Sequence, residues 1–186
     1  MKPDKLIEIL KTAEKLKCIT RHCDTSTGRR ESVAEHSWRL CLTAMLLEDE
    51  FPEFDMNKVI KMCIIHDLGE AFTGDIATFD KTDEHIITED KMFSLWVNSF
   101  PLYQQKQFSE LLSEMNALET NEARLYKALD KLEAVIQHNE SDISTWLELE
   151  YDLQLTYGNE EVQFSDYLKE LKKYVDCWTK RKIEEG

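Results

Sequence analysis

Glycine and proline are scarce in this chain of 186 residues, five and three respectively, which disfavours an architecture built on frequent tight turns. Few stretches alternate apolar and polar residues, while Leu, Glu and Lys abound, so a mainly helical fold is predicted. Positive charge is also short. Against 37 Asp and Glu stand 23 Lys and Arg, a formal net charge of −14, and no basic stripe offsets it. That balance argues against nucleic acid as a partner, because phosphate backbones are bound largely through Lys and Arg. A small anion held by a local Arg stays compatible with it. The five cysteines form no C-x-x-C pair, and an odd count without a framework fits free thiols in a reducing compartment. No stretch approaches membrane-spanning length, and Met1 to Lys17 mixes charge with leucine where a signal peptide would be uninterruptedly apolar. A cytoplasmic protein with no membrane partner is expected. With 42% hydrophobic residues the chain is long enough to bury one sizeable core, and residues 1–186 are read as one domain.

Within this helical background the stretch Cys63-Ile64-Ile65-His66-Asp67-Leu68-Gly69-Glu70 is unusual. It places three polar groups at the end of an apolar run from Val59 to Leu68. Unpaired charge in apolar surroundings is strongly penalised, so His66, Asp67 and Glu70 should satisfy one another or share a cation. On one continuous helix His66 and Glu70 would lie a turn apart on one face, with Asp67 about 100° around.

Taken in order, Leu6, Ile9, Leu10, Ala13 and Leu16 recur at helical spacing and predict a first helix with a core-facing stripe. Thr20 to Arg30 reads as a polar loop carrying three arginines. Ser32-Val33-Ala34-Glu35 reads as a capping box that starts a helix. Val33, Leu40, Ala44 and Leu47 form its buried row, and His36 falls in that row. Phe51-Pro52 ends it; Asp55 or Asn57 caps the next helix, which carries His66 and Asp67 and ends near Thr73-Gly74-Asp75. Thr82 to Phe100 is predicted helical with Ile86, Phe93, Trp96 and Val97 inward, and Pro101 opens another helix with Phe108, Leu111, Leu112 and Met115. Asn121 caps a long helix to about Asn139 whose main face is Leu125, Leu129, Leu132 and Ile136. Asp130 lies off that face, beside Ala123, Tyr126, Glu133 and Ala134, and periodicity alone does not select it. Ser141 to Asn159 reads as a connection, and residues 162–182 as the last helix.

His36, the His66-Asp67 doublet and a later helical aspartate together resemble the HD-domain metal-dependent phosphohydrolases, named for that doublet. More narrowly, Glu31-Ser32-Val33-Ala34-Glu35-His36-Ser37, His66-Asp67-Leu68-Gly69-Glu70 and Thr73-Gly74-Asp75-Ile76 resemble the 5′-deoxynucleotidase branch. Ala128-Leu129-Asp130-Lys131-Leu132-Glu133 matches that branch's late helix. The resemblance spans roughly residues 5–140 and implies an all-α HD-domain helical bundle with its metal-site core at about 31–140.

By position the resemblance implies that His36, His66, Asp67 and Asp130 hold one divalent metal, that Glu70 and Asp75 serve catalysis, and that Arg21 contacts the nucleotide phosphate. It also implies a homodimer. The sequence departs from the pattern at His22, where some members pack a tryptophan against the sugar, and at Ala77 to Asp80, where a proline-containing loop is common. Two imidazoles and two carboxylates suit Mn²⁺, Co²⁺, Fe²⁺ or Zn²⁺, with Mg²⁺ a harder alternative. The expected reaction is hydrolysis of a nucleoside 5′-monophosphate, deoxy in preference to ribo, to nucleoside and phosphate. Alternatives are hydrolysis of nucleoside triphosphates or cyclic nucleotides, a di-iron HD-type oxygenase, and a non-catalytic nucleotide-binding HD protein.

Overall fold

The computed structural model describes residues 1–186 and is helical throughout except for one two-stranded hairpin. The first helix, α1 (Pro3–Ala13), runs into a 3₁₀ turn at Glu14–Lys17. Its apolar stripe is only half covered. Leu16 is buried and Ile9 and Ala13 lean on the core, while Leu6 and Leu10 stay exposed, because the helix meets the bundle through its C-terminal half.

The stretch expected as a loop is instead a hairpin of β1 (Thr20–Asp24) and β2 (Arg30–Ser32), antiparallel. Thr20 pairs with Ser32 and Asp24 with Arg30, so β1 carries extra residues between the same anchors and bulges at Arg21, His22 and Cys23. A bulge breaks the alternation that marks a strand, which is why polarity alone misread it. Gln137 ties the bulged strand to the bundle by donating from Nε2 to the Asp24 carbonyl at 2.8 Å.

Ser32 and Glu35 close the capping box as expected, and α2 (Val33–Leu46) buries Val33, His36, Leu40 and Ala44. Asp55 caps α3 (Met56–Ile65) by accepting from the Lys58 N–H. Contrary to expectation, α3 does not continue to Thr73. The Leu68 N–H bonds to Ile65 and the Glu70 N–H to Asp67, three-residue closures that tighten the chain into a turn before α4 (Glu70–Thr73). His66 and Glu70 are therefore not related by one regular helical turn. Gly74, at φ +78°, supplies the sharp exit that sends Asp75 back toward the same place.

Thr82 caps α5 (Asp83–Val97), which buries Phe93 and Val97, whereas Ile86, expected inward, is exposed in the first turn and borders a cavity. In α6 (Leu102–Ala117) Met115 is buried, with Phe108, Leu111 and Leu112 against the core. Thr120, one residue before the expected Asn121, caps α7 (Asn121–Glu140). This helix is buried almost all round, by Leu125, Leu129 and Leu132 on one side and Ala123, Tyr126 and Glu133 on another, so no single stripe describes it. The predicted connection after it holds a further helix, α8 (Glu150–Thr156). Ser165 caps α9 (Asp166–Glu185), which starts four residues later than expected, although Val162 is buried just before it.

Candidate active site

Four side chains from three segments meet at one point. His36 comes from α2, His66 and Asp67 from the turn after α3, and Asp130 from α7. His36 Nε2 lies 3.2 Å from His66 Nε2, 3.1 Å from Asp130 Oδ1 and 3.8 Å from Asp67 Oδ2. His66 Nε2 lies 3.0 Å from Asp67 Oδ2 and 3.6 Å from Asp130 Oδ1. Donors about 2.1 Å from one ion in tetrahedral array stand about 3.4 Å apart, so the spacing among His36, His66 and Asp67 suits a single cation, with Asp130 Oδ1 beside both imidazoles.

The ring orientations support that fit. His66 Nδ1–H donates to the Cys63 carbonyl at 2.9 Å, and His36 Nδ1–H donates to the Glu133 carboxylate. Each bond turns Nε2 toward the cluster, where the carboxylates of Asp67 and Asp130 favour a positive group, a proton on the ring or a cation in its place. Glu133 is itself held by Arg39, whose Nε donates to Oε1 at 2.6 Å and whose guanidinium also reaches Gln137. Sequence reasoning placed Glu133 beside Asp130 without giving it a task. The available signal was a carboxylate three residues after Asp130 in a helix buried on every side.

Burial alone would lower the His66 pKa, but Asp67 and Asp130 outweigh it and lift the imidazole to about 10. Burial would likewise raise Asp67 and Asp130. His66 for the first and Lys127 for the second overcome it and hold both below the usual carboxylate range. Lys127 Nζ donates to Asp130 Oδ2 at 2.8 Å, leaving Oδ1 for the cluster.

Glu70 is buried, and its Oε2 has no hydrogen-bond partner. Burial first, then the charges of Asp67, Asp75 and Glu89, push its carboxyl up to about 10. Asp75 is also raised by burial, against the pull of Arg21. Arg21 pairs with two other carboxylates: Nη1 is 3.7 Å from Asp67 Oδ2 and Nε 3.2 Å from Glu31 Oε2.

These groups form one end of a cavity of about 310 Å³, within the range for small-molecule sites. Lys81, bridged to Glu89 at 2.7 Å, borders it, and Glu150, Leu153 and Gln154 of α8 also line it. His22 lines the cavity with its ring edge-on to Phe79 at 5.1 Å. Its Nε2 is 3.5 Å from Glu150 Oε1, an oxygen that also lies 3.0 Å from His138 Nε2. All eight residues singled out from sequence thus border this cavity or the cluster at its floor. The part that sequence reading missed is α8, whose polar face has no periodic apolar partner to announce it.

A model of the HD domain family matches residues 13–172, and the chain belongs to that family. Among curated relatives, the 5′-deoxynucleotidase HDDC2 of Dictyostelium discoideum is 32% identical over 146 residues, 70% of this chain and 74% of that one. The 5′-deoxynucleotidase YGK1 of Saccharomyces cerevisiae is 26% identical over 97% of this chain and 80% of its own. Among solved structures, a protein from Magnetospirillum magnetotacticum described as a predicted metal-dependent phosphohydrolase superposes with a TM-score of 0.77. It is 27% identical and covers 96% of this chain and 94% of that one.

Proposed function

We propose that this chain is a metal-dependent 5′-deoxynucleotidase that converts (deoxy)nucleoside 5′-monophosphates to nucleoside and phosphate, in a single HD domain spanning the chain. The observation that carries the reading is the convergence of His36, His66, Asp67 and Asp130 at the floor of a cavity that Arg21 and Glu70 also line. Those four residues would hold one divalent cation, Mn²⁺, Co²⁺, Fe²⁺ or Zn²⁺ in preference to Mg²⁺. Such a cation supplies Lewis acidity toward a phosphoryl oxygen, lowers the pKa of water, and offsets the negative charge crowded around Glu70.

The chain's own groups divide the remaining work. Arg21 holds non-bridging phosphate oxygens with a planar fork of donors. Glu70, buried at the cavity with its Oε2 unpaired, orients the attacking water, and with a cation's charge offsetting the carboxylates that hold its pKa up it would be ionised to take the water's proton as the new O–P bond forms. Asp75, raised by burial, carries the proton to the leaving 5′-oxygen as the P–O bond breaks. His22 borders the sugar, where it replaces the tryptophan of some relatives. The preference for deoxyribose comes from a wall that leaves a 2′-hydroxyl unpaired or crowded.

Two copies would pair through α2, which exposes Trp38, Leu42, Met45 and Leu46 along one strip, Trp38 at 66%. Free thiols at all five cysteines support a cytoplasmic location, and no helix is long and apolar enough to cross a membrane. The deciding measurement is phosphate release from dAMP, AMP, dUMP, UMP, dATP and 3′-AMP with each cation added separately. Hydrolysis of 5′-monophosphates, at least about tenfold faster for deoxy than ribo, is expected. Activity confined to triphosphates or 3′-phosphates would overturn the assignment.

A further inference from the structure

The short helix α8 turns one continuous face to the cavity: Glu150, Leu153, Gln154 and Tyr157 stand one helical turn after another and all line it. Gln154 is only 3% exposed, and its side-chain amide makes no hydrogen bond to the protein. An amide that keeps its donor and acceptor open toward a ligand-sized cavity is suited to take its partner from the ligand. Glu150, one turn earlier, is 1% exposed and already accepts from His138 Nε2 at 3.0 Å and from the Leu147 N–H at 2.7 Å. Burial works against its charge, but these donors hold its carboxyl below the ordinary range, so the wall next to Gln154 is negative.

With phosphate at Arg21 and the cation cluster, the rest of a nucleotide extends along the same cavity, whose lining also includes Phe79, Tyr157 and the inner face of α8. We infer that α8 forms a nucleobase subsite in which the Gln154 amide, beside the Glu150 carboxylate, selects bases bearing an exocyclic amino group next to a ring nitrogen. The argument rests on the nucleotide reading above. A primary amide pairs with adenine or cytosine by accepting from the amino group and donating to the ring nitrogen. Turned over, the same amide pairs equally well with the N–H and carbonyl of uracil or thymine. Glu150 decides between them, because a carboxylate attracts an amino group and repels a carbonyl oxygen.

Calorimetric titration of the protein with deoxycytidine and deoxyuridine tests the subsite without requiring turnover, and kcat/KM for dCMP and dUMP tests it during catalysis. Deoxycytidine should bind about tenfold tighter, the scale of one hydrogen bond to a charged or buried partner. Glu150→Gln, which keeps the shape and removes the charge, should bring the two dissociation constants together, whereas Gln154→Leu should weaken both nucleosides by about tenfold. The ratio is read within Glu150→Gln, so a general loss of folding or rate does not mimic that effect, and circular dichroism checks that Gln154→Leu stays folded. Equal affinity for the two nucleosides in the unmodified protein would overturn the subsite, as would a preference that survives Glu150→Gln or an unchanged affinity in Gln154→Leu. If dCMP and dUMP are hydrolysed equally well, the subsite fails while the nucleotidase reading stands. If the nucleosides are discriminated but no monophosphate is hydrolysed, the nucleotidase reading fails and the subsite stands.

Discussion

Along α7, His36 and Glu133 meet His66, Asp67 and Asp130, and little more than a turn further on His138 meets Glu150 and His22. Both clusters combine histidine with buried carboxylate, yet only the first brings its donor atoms to a point. His36 and His66 each spend Nδ1 on a partner outside the cluster and keep Nε2 free to face inward. His138 spends both ring nitrogens, Nδ1 on the Ala134 carbonyl at 2.9 Å and Nε2 on Glu150. Glu150 spends an oxygen on each of His138 and Leu147. What separates a cation site from a cross-brace is the number of lone pairs left over, not the types of residue present.

The largest effect that follows is loss of the cation. His66→Ala or Asp67→Ala should abolish both cation retention and phosphate release, while His138→Ala should leave cation content at the native level, about one per chain. Elemental analysis after gel filtration checks this. Cation retained by His66→Ala, or lost equally from His138→Ala, would erase the distinction between the clusters.

Next in size is the chemical step at Glu70, which belongs to the first cluster's surroundings without being one of its converging donors. Glu70→Gln preserves volume and removes the base, and should cut kcat by roughly 10² to 10⁴ while cation content holds. Loss of cation in this variant would instead make Glu70 part of the ligand set. A smaller effect is expected at Glu133, which touches the cluster only through His36 Nδ1. Glu133→Gln should weaken cation affinity by about 10- to 100-fold, with activity recovered at high cation concentration. Activity that stays low at saturation would mean that Glu133 supports the bundle through Arg39 more than it orients His36.

How far these two clusters could be read from sequence differs for a physical reason. The capping box at Ser32, the helix bearing His36, the helix that leads into His66, and the turn at Gly74 follow from local rules, so they were legible. Asp130 was found through a matching segment and not through periodicity, because α7 is buried on nearly every side and no stripe distinguishes its faces. The hairpin was missed since a bulge removes alternation, and the turn after Ile65 was missed since three-residue closures look like helix in sequence. Gln154 left no trace at all. Its task depends on which wall α8 closes, a fact of tertiary packing.

The smallest effect concerns a carboxylate outside both clusters. Glu35 bonds to Arg29 and to the Ser32 backbone N–H, and those bonds, the Arg29 one foremost, hold its carboxyl at about 2 against an ordinary value of 4.5. A depressed carboxyl contributes stability that is fully present above the unfolded value and is lost as pH falls through the folded one. Glu35→Gln can still close the capping box, so it removes the charge and keeps the geometry. The melting-temperature gap between the unmodified protein and this variant should be constant above about pH 5 and shrink between 4.5 and 2. Because the side chain is 43% exposed, solvent screening keeps the stability difference behind that gap below about 1 kcal/mol. A gap that persists undiminished at pH 3 would show that helix entry depends on the shape of the Glu35 side chain and not on its charge.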